Sequence, residues 1–358
     1  MEKLCISLII EKNMATKLHI LKAMEGDAFI LTVEEEDNKF TMVIDGGPLD
    51  AYQEISVELN KLEHINILVI THFDRDHYEG IIEWLKEDPS RLQRIDHIWA
   101  NCACVIPVDM GTEVSAYSNS HSLKEFIEGI EKNHPNWNVD WKQEIIAGYK
   151  FHNQNPFVEI EVIAPTNKSK GIFEHEYEKQ YPAVSAQGVN DQMSRSLKDL
   201  ADDETLKPAY QKVNNSSIAM IIRTNDKRLL MTGDCMATDM YNYITQRLNK
   251  SKDAPLLVDI MKMPHHGSRY NINNDLLDIV DCEKFLITTN GGVGVANHPD
   301  RQTIAKLLQR KGRRDKHIEI CLNYSLSDMA NLGTFFLKEE EISDTSNNFD
   351  IKENIEWL

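Results

Sequence analysis

A chain of 358 residues with 41% hydrophobic content has ample material for a large core in one or two domains. Its formal charge of −18 weighs against a broad electropositive surface for nucleic acid. No apolar run approaches the roughly 20 residues that a membrane-spanning helix needs, so the composition points to a globular, cytoplasmic protein.

The start, Leu4-Cys5-Ile6-Ser7-Leu8-Ile9-Ile10 after Lys3, is short for a signal peptide, and no small-residue cleavage site follows it. Residues 1–17 read as a leader or an extra strand, with Met14 as an alternative start. Ile65 to Ile70 form an apolar, β-branched run that predicts a buried strand. Thr71-His72-Phe73-Asp74-Arg75-Asp76-His77-Tyr78-Glu79-Gly80 follows, and then a helical pattern through Ile81, Ile82, Trp84 and Leu85. Four potential metal ligands, His72, Asp74, Asp76 and His77, therefore sit where a buried strand gives way to a helix. Imidazole and carboxylate together suit divalent cations of the zinc or manganese type. The competing reading is a polar loop whose side chains cap the helix.

Residues 101–212 read as an irregular insertion that covers the site, with a polar helical stretch near Ser194 to Glu204. The six cysteines form no disulfide framework; Cys102-x-Cys104 reads as two thiols and Cys235 as core. From 213 to 322 strand–helix alternation returns. Thr232-Gly233-Asp234 follows the apolar Leu229-Leu230-Met231, and Pro264-His265-His266-Gly267-Ser268 follows the run from Leu256 to Met263. Asn297-His298-Pro299 comes after the strand-like Phe285 to Thr289. Ligands recurring at several strand ends predict a site along one edge of a sheet sandwich. Next comes a basic strip of Lys306, Arg310, Lys311, Arg313, Arg314 and Lys316, read either as phosphate contacts or as a solvated helix end. Residues 323–358 read as a last strand and an acidic tail, a flexible end or a docking segment for a protein partner.

The ordered series Gly26-Asp27-Ala28-Phe29-Ile30, Ile44-Asp45-Gly46-Gly47-Pro48, His72-x-Asp74-x-Asp76-His77, Asn214 to Ile218 with Leu230 to Asp234, His265-His266-Gly267-Ser268 and Asn297-His298-Pro299 resembles the metallo-β-lactamase fold. It is most similar to the subgroup typified by the hydrolase domain of the competence DNA-uptake protein ComEC, from about Leu18 to about Arg310. Two positions depart from that pattern: Glu79 precedes Gly80 where the subgroup has a second glycine, and Asp300 follows Pro299 where it often has a histidine.

The resemblance implies an α/β fold, an αββα sandwich of two mixed sheets with outer helices, over residues 18–322. It assigns His72 and Asp74 to one metal, Asp76 and His77 to a second and Asp234 as the bridge; either His265 or His266 completes the second site, with His266 favoured because His-x-Ser after a strand resembles a ligand motif of the superfamily. His265 is left beside the substrate as a phosphate contact or proton donor. A third histidine for the first metal has no motif; His97, His121, His134 and His152 are the candidates. The ions implied are Zn2+ or Mn2+, with Mg2+ compatible. Asp45 and Asn215 shape the pocket from behind the ligands, or Asp45 caps the Gly46-Gly47 turn. Ser268, Lys306, Arg310, Arg313 and Arg314 contact substrate. His298 protonates the leaving oxygen or simply opens a helix beside Pro299. The implied activity is phosphodiester hydrolysis, of DNA or RNA, by a metal-activated water, and free-standing proteins of this type also resemble components of bacterial defence loci. The alternatives are a small-molecule or lipid-type phosphodiesterase and a non-catalytic scaffold that binds a partner.

Overall fold

A computed structural model describes residues 14–35, 38–101, 115–137, 139–141, 144–152, 157–170, 192–205, 214–292, 297–309, 316–344 and 348–358. Among them, β1 (Met14–Ile20), β2 (Phe29–Glu35), β3 (Asn38–Ile44), β4 (Ile65–Ile70) and β5 (Ile95–Ala100) form a sheet in that spatial order. Its first three strands pair antiparallel and its last three parallel.

The second sheet runs β15 (Phe349–Lys352), β14 (Ile318–Leu322), β13 (Lys284–Ile287), β11 (Ile260–Lys262), β9 (Arg228–Met231), β8 (Ala219–Thr224), β7 (Val158–Ala164) and β6 (Lys150–His152). From β15 to β9 the pairs are parallel, and from β9 to β6 antiparallel. A short parallel pair, β10 (Leu256–Leu257) and β12 (Val280–Asp281), stands apart.

Strand alternation sorts the apolar residues into three layers. Ile67 and Val69 of β4 meet Leu229 and Met231 of β9, Ile260 of β11 and Leu286 of β13 in a core between the sheets. Leu68 and Ile70 point the other way, into a cluster with Ile55 and Leu59 of α1 (Tyr52–Asn60), Ile81 and Trp84 of α2 (Arg75–Glu87) and Ile127 of α3 (Ser115–Asn133). Leu230, Met261 and Phe285 face an opposite cluster. It contains Leu200 of α4 (Leu197–Ala201), Met240 of α5 (Ala237–Gln246), Leu276 of α6 (Asn274–Ile279) and Ile304 of α7 (Arg301–Gln309). The order helix, sheet, sheet, helix is the αββα sandwich expected, and Cys235 lies in its second helical layer.

Two stretches differ from expectation. The described part of 101–212 supplies β6 and β7 to the second sheet, because Val158-x-Ile160-x-Val162 turns alternate apolar side chains into the inter-sheet core. The acidic tail is also built in. β15 pairs with β14, and the Leu358 and Leu18 backbones exchange two hydrogen bonds of 2.8 and 3.0 Å, so the chain end closes the edge of β1. Among the described residues no helix is long and apolar enough to cross a membrane.

Arg301, at the start of α7, is almost wholly buried. Its guanidinium donates to the carbonyls of Gln192, Arg195 and Phe336 and to both carboxylate oxygens of Glu341, in α9 (Glu339–Ser343), which follows α8 (Leu326–Asn331). Burial works to raise the Glu341 carboxyl, but Arg301 and the Lys338 amide outweigh it and hold it below its ordinary value. A depressed carboxyl adds stability above its unfolded value near 4.5, and that stability is lost as pH falls through the lower folded value. Arg301→Met should therefore destabilise the fold by about 3 kcal/mol, since it strands a charge and three carbonyls. Urea unfolding at pH 7 and pH 4 should show a smaller difference between variant and wild type at the lower pH.

Candidate metal centre

β3, β4, β9, β11 and β13 all end at one edge of the sandwich, and the turns that follow them carry the site. Asp74 is the N-cap of α2, yet its side chain makes no capping hydrogen bond, so the capping reading of this loop does not hold. The His265-His266 turn after β11 has φ of 48° and 52° at the two histidines, a left-handed conformation that costs energy in residues with a Cβ. It sends consecutive imidazoles to different sides of Asp234.

Asp234 is the centre of the arrangement. Its Oδ2 lies 3.7 Å from His72 Nε2 and 3.6 Å from His265 Nε2, and Asp74 Oδ2 is 3.5 Å from His72 Nε2. Its Oδ1 lies 3.4 Å from His77 Nε2 and 3.9 Å from His266 Nε2. Asp76 Oδ2 is 3.6 Å from the first of these rings and 3.2 Å from the second. Each carboxylate oxygen of Asp234 thus faces its own set of two imidazoles and one further carboxylate.

These spacings mostly exceed hydrogen-bond length. They match the roughly 3.3 Å edge of a tetrahedron with metal–ligand bonds of about 2.0–2.1 Å. His72 Nε2, His77 Nε2, His266 Nε2 and Asp234 Oδ1 are buried without a hydrogen-bond partner. Buried polar atoms left unpaired are costly and rare; His77 Nε2 and His266 Nε2 gather at Asp234 Oδ1 while His72 Nε2 faces Oδ2, an arrangement that fits cations.

The opposite ring nitrogens are engaged. His77 Nδ1 lies 2.8 Å from Asp45 Oδ2, His266 Nδ1 2.8 Å from the Thr288 carbonyl and His265 Nδ1 2.9 Å from Asn271 Oδ1. A proton held on Nδ1 leaves the Nε2 lone pair free for a metal. Asp45, itself at φ 59°, also accepts from the Thr71 amide and hydroxyl at 2.7 Å.

The electrostatics follow from this crowding. Burial raises the Asp234 and Asp76 carboxyls, but the surrounding imidazoles outweigh it and hold both well below their ordinary range. Burial lowers His77 and His266, yet neighbouring carboxylates, Asp234 among them, win and raise both. His265 is different: burial dominates and pushes it down to about 4, so its ring stays neutral.

Several placements depart from expectation. His265 joins the His72 side as a third donor rather than standing apart beside the substrate. The candidates for that position are engaged elsewhere: His97 sits 3.4 Å from Asp140 and His134 stacks on Trp137, while the side chains of His121 and His152 lie outside the described residues. Asn214, rather than Asn215, reaches the centre, with Nδ2 3.3 Å from Asp234 Oδ2. Ser268 is buried, and its Oγ accepts from the Tyr270 amide at 3.4 Å. Lys306 is buried too, its Nζ donating to the Asp203 carbonyl at 3.3 Å, and burial lowers its pKa. With Arg269 and Asp203 it lines a cavity of about 180 Å³ that none of the donors above lines. Arg310, Lys311, Arg313 and Arg314 lie outside the described residues, as do Cys102 and Cys104.

The sequence reading names Asp27 within a strand signature but gives it no role at the site, and it does not single out Lys262. Both are buried, with Lys262 Nζ 2.5 Å from Asp27 Oδ2, 3.0 Å from the Gly233 carbonyl and 3.6 Å from Asp234 Oδ1. Asp27, His77, Asp234 and His266 offer ligand atoms within 4.8 Å of one another. Asp27 nevertheless lies 3.6 Å from His266 Nδ1 and 3.8 Å from His77 Nδ1, the edges of the rings that face away from Asp234. We therefore place it behind the ligands. The available signal was a lysine inside the apolar Ile260-Met261-Lys262-Met263.

A comparison with protein-family models found no match, and one with curated proteins found none. Among solved structures, the chain is similar to Zn2+-bound PqqB from Methylobacterium extorquens at 11% identity and TM-score 0.42, covering 96% of this chain and 99% of that one. It is similar to a diphosphatase of the PhnP family at 9% identity and TM-score 0.41, with 96% and 97% covered. The metallo-β-lactamase fold protein YhfI from Bacillus subtilis matches at 10% identity and TM-score 0.38, with 96% and 98% covered. Likenesses this distant carry no reading of activity.

Elemental analysis of protein purified without chelator should approach two divalent ions per chain. Asp234→Ala should lower the content on both sides, and His265→Ala should lower it toward one. An Asp234→Ala protein that keeps both ions would remove this residue from the centre.

Proposed function

We propose that the chain is a metal-dependent hydrolase of the metallo-β-lactamase type, with two divalent ions in this centre, and that its substrate is a phosphodiester. The observation that carries the reading is the placement of Asp234, whose Oδ1 faces the unpartnered buried Nε2 atoms of His77 and His266 and whose Oδ2 faces that of His72. His72, Asp74 and His265 would hold one ion, His77, Asp76 and His266 the other, and Asp234 both. Of the seven side chains four are imidazoles and three carboxylates, a mixture that suits Zn2+ and also admits Mn2+. Bound divalent ions supply Lewis-acid charge and an activated water. Around them this chain provides His298, whose ring centroid is 5.0 Å from that of His265, as the donor of a proton to the leaving oxygen.

The resemblance to ComEC-type hydrolase domains favours a polynucleotide, with cleavage of foreign nucleic acid in bacterial defence as the setting. A small phosphodiester is favoured by different observations. The net charge is −18, Lys306 is buried, and Lys316 is paired with Asp281 at 2.7 Å, which leaves Arg310, Lys311, Arg313 and Arg314 as the strip's remaining cations.

The test is cleavage of bis-p-nitrophenyl phosphate beside single- and double-stranded DNA and RNA, with each metal in turn. Asp76→Ala should lower every rate by several orders of magnitude with circular dichroism unchanged; near-wild-type turnover would refute the assignment. Changing Arg310, Arg313 and Arg314 together to Glu should weaken polynucleotide binding and flatten its salt dependence, while the small ester is cleaved nearly as before. Unaltered polynucleotide cleavage would leave the strip a solvated helix end.

A further inference from the structure

Asp300 stands where the resembled subgroup often has a histidine. It is buried, and its carboxylate is fixed from two directions: Oδ1 accepts from Gln192 Nε2 at 2.9 Å and Oδ2 from the Arg269 amide at 2.9 Å. The loop that carries it is clamped onto the histidine turn. The Asp300 amide donates to the Gly267 carbonyl at 3.1 Å, and Pro299 lies so close to Gly267 that a Cβ there would sit 2.7 Å from the proline Cβ. Gly267 also has φ +88°, so this seat requires glycine twice over.

His298 is thereby held between the metal centre and this carboxylate. Its Nδ1 is buried without a hydrogen-bond partner and lies 3.6 Å from Asp300 Oδ2. That separation is longer than a hydrogen bond, but catalytic contacts in free enzymes are often long and tighten when substrate binds. Burial works to raise the Asp300 carboxyl, while His298 and the Arg269 and Gln192 donors outweigh it, so the group stays ionised.

We infer that Asp300 is a positioning residue for proton transfer: it takes the Nδ1–H of His298, fixes the ring's orientation and turns Nε2–H toward the leaving oxygen. This rests on the hydrolase reading above. In the step, the phosphorus–oxygen bond to the leaving group breaks with its electron pair kept by that oxygen, which takes the proton from His298 Nε2. A water molecule forms the new phosphorus–oxygen bond and gives up its proton to solvent, and solvent reprotonates the imidazole after release.

A proton donor matters in proportion to how poor the leaving group is, which a structural role does not mimic. The experiment compares kcat on the p-nitrophenyl and phenyl esters of thymidine 5′-phosphate, using metal-loaded full-length protein. Wild type should cleave both with rates within roughly tenfold, because proton donation offsets the poorer leaving group. Asp300→Asn should shift the p-nitrophenyl to phenyl ratio by roughly 100-fold, at little change in KM, and His298→Ala should shift it the same way. The double variant should go no further, since the two residues act as one unit. Should Asp300→Asn melt early, Gln192→Ala loosens the same carboxylate and should move the ratio several-fold. A ratio that stays put in the folded variants overturns the inference alone, as does a wild type that cleaves only the p-nitrophenyl ester. A wild type that cleaves neither ester overturns the inference, and one that also leaves bis-p-nitrophenyl phosphate, DNA and RNA intact overturns the hydrolase reading with it.

Discussion

The rest of the molecule depends on an excess of negative charge held where water is scarce. Asp27, Asp45, Asp74, Asp76 and Asp234 crowd one pocket, three of them almost wholly buried, against a single buried ammonium, Lys262. Isolated buried charges are expensive, so such a pocket persists only if cations or protons balance it. Neighbouring carboxylates raise both His77 and His266, which favours protons on those rings when no metal is bound. A metal must displace those protons to bind, which couples affinity to pH.

The sandwich is the device that tolerates this crowding. Neither sheet holds the pocket alone: β3 and β4 deliver Asp45 and the His72-to-His77 turn, and β9 and β11 deliver Asp234 and the histidine pair. The inter-sheet core of Ile67, Val69, Met231 and Ile260 sets how far apart those deliveries arrive. Close approach also matters within the first half. A Cβ on Gly26 would lie 1.9 Å from the Asp76 carbonyl, so the glycine lets the Asp27 turn seat against the start of α2. Left-handed backbone at Asp45, His265 and His266 is strain that this packing over-determines, and it falls on the turns that aim donors.

Much of this was legible in the sequence, for physical reasons. Ile65 to Ile70 announced a buried strand because both of its faces are apolar, and both are buried, one on each core. The ligand turns were legible because Asp and His cluster at strand ends. What could not be read depends on backbone direction. Sequence spacing does not reveal that His265 and His266 take left-handed φ and diverge, so His265 was left beside the substrate instead of on the His72 side. Asn214 and Asn215 are equivalent as text, and the 3-10 turn that holds them decides which one reaches Asp234. Residues 101–212 read as irregular because β6 has only three residues and β7, though seven long, is flanked by polar stretches.

Asp27 and Lys262 show how far an inventory of ligand types can go. By residue type and proximity Asp27 belongs with the metal donors. Its oxygens are otherwise committed, one to the Thr288 hydroxyl at 2.5 Å and one to Lys262. Lys262 in turn holds the Gly233 carbonyl, one residue before Asp234, so the ion pair braces the turn that presents the Asp234 carboxylate. An apolar residue at the end of β11 would fill the same volume between the layers. It would leave Asp27 buried without a counter-charge and the Gly233 carbonyl without this donor. The lysine is retained in an otherwise apolar strand because the pocket's charge balance, and not only its packing, is part of the fold.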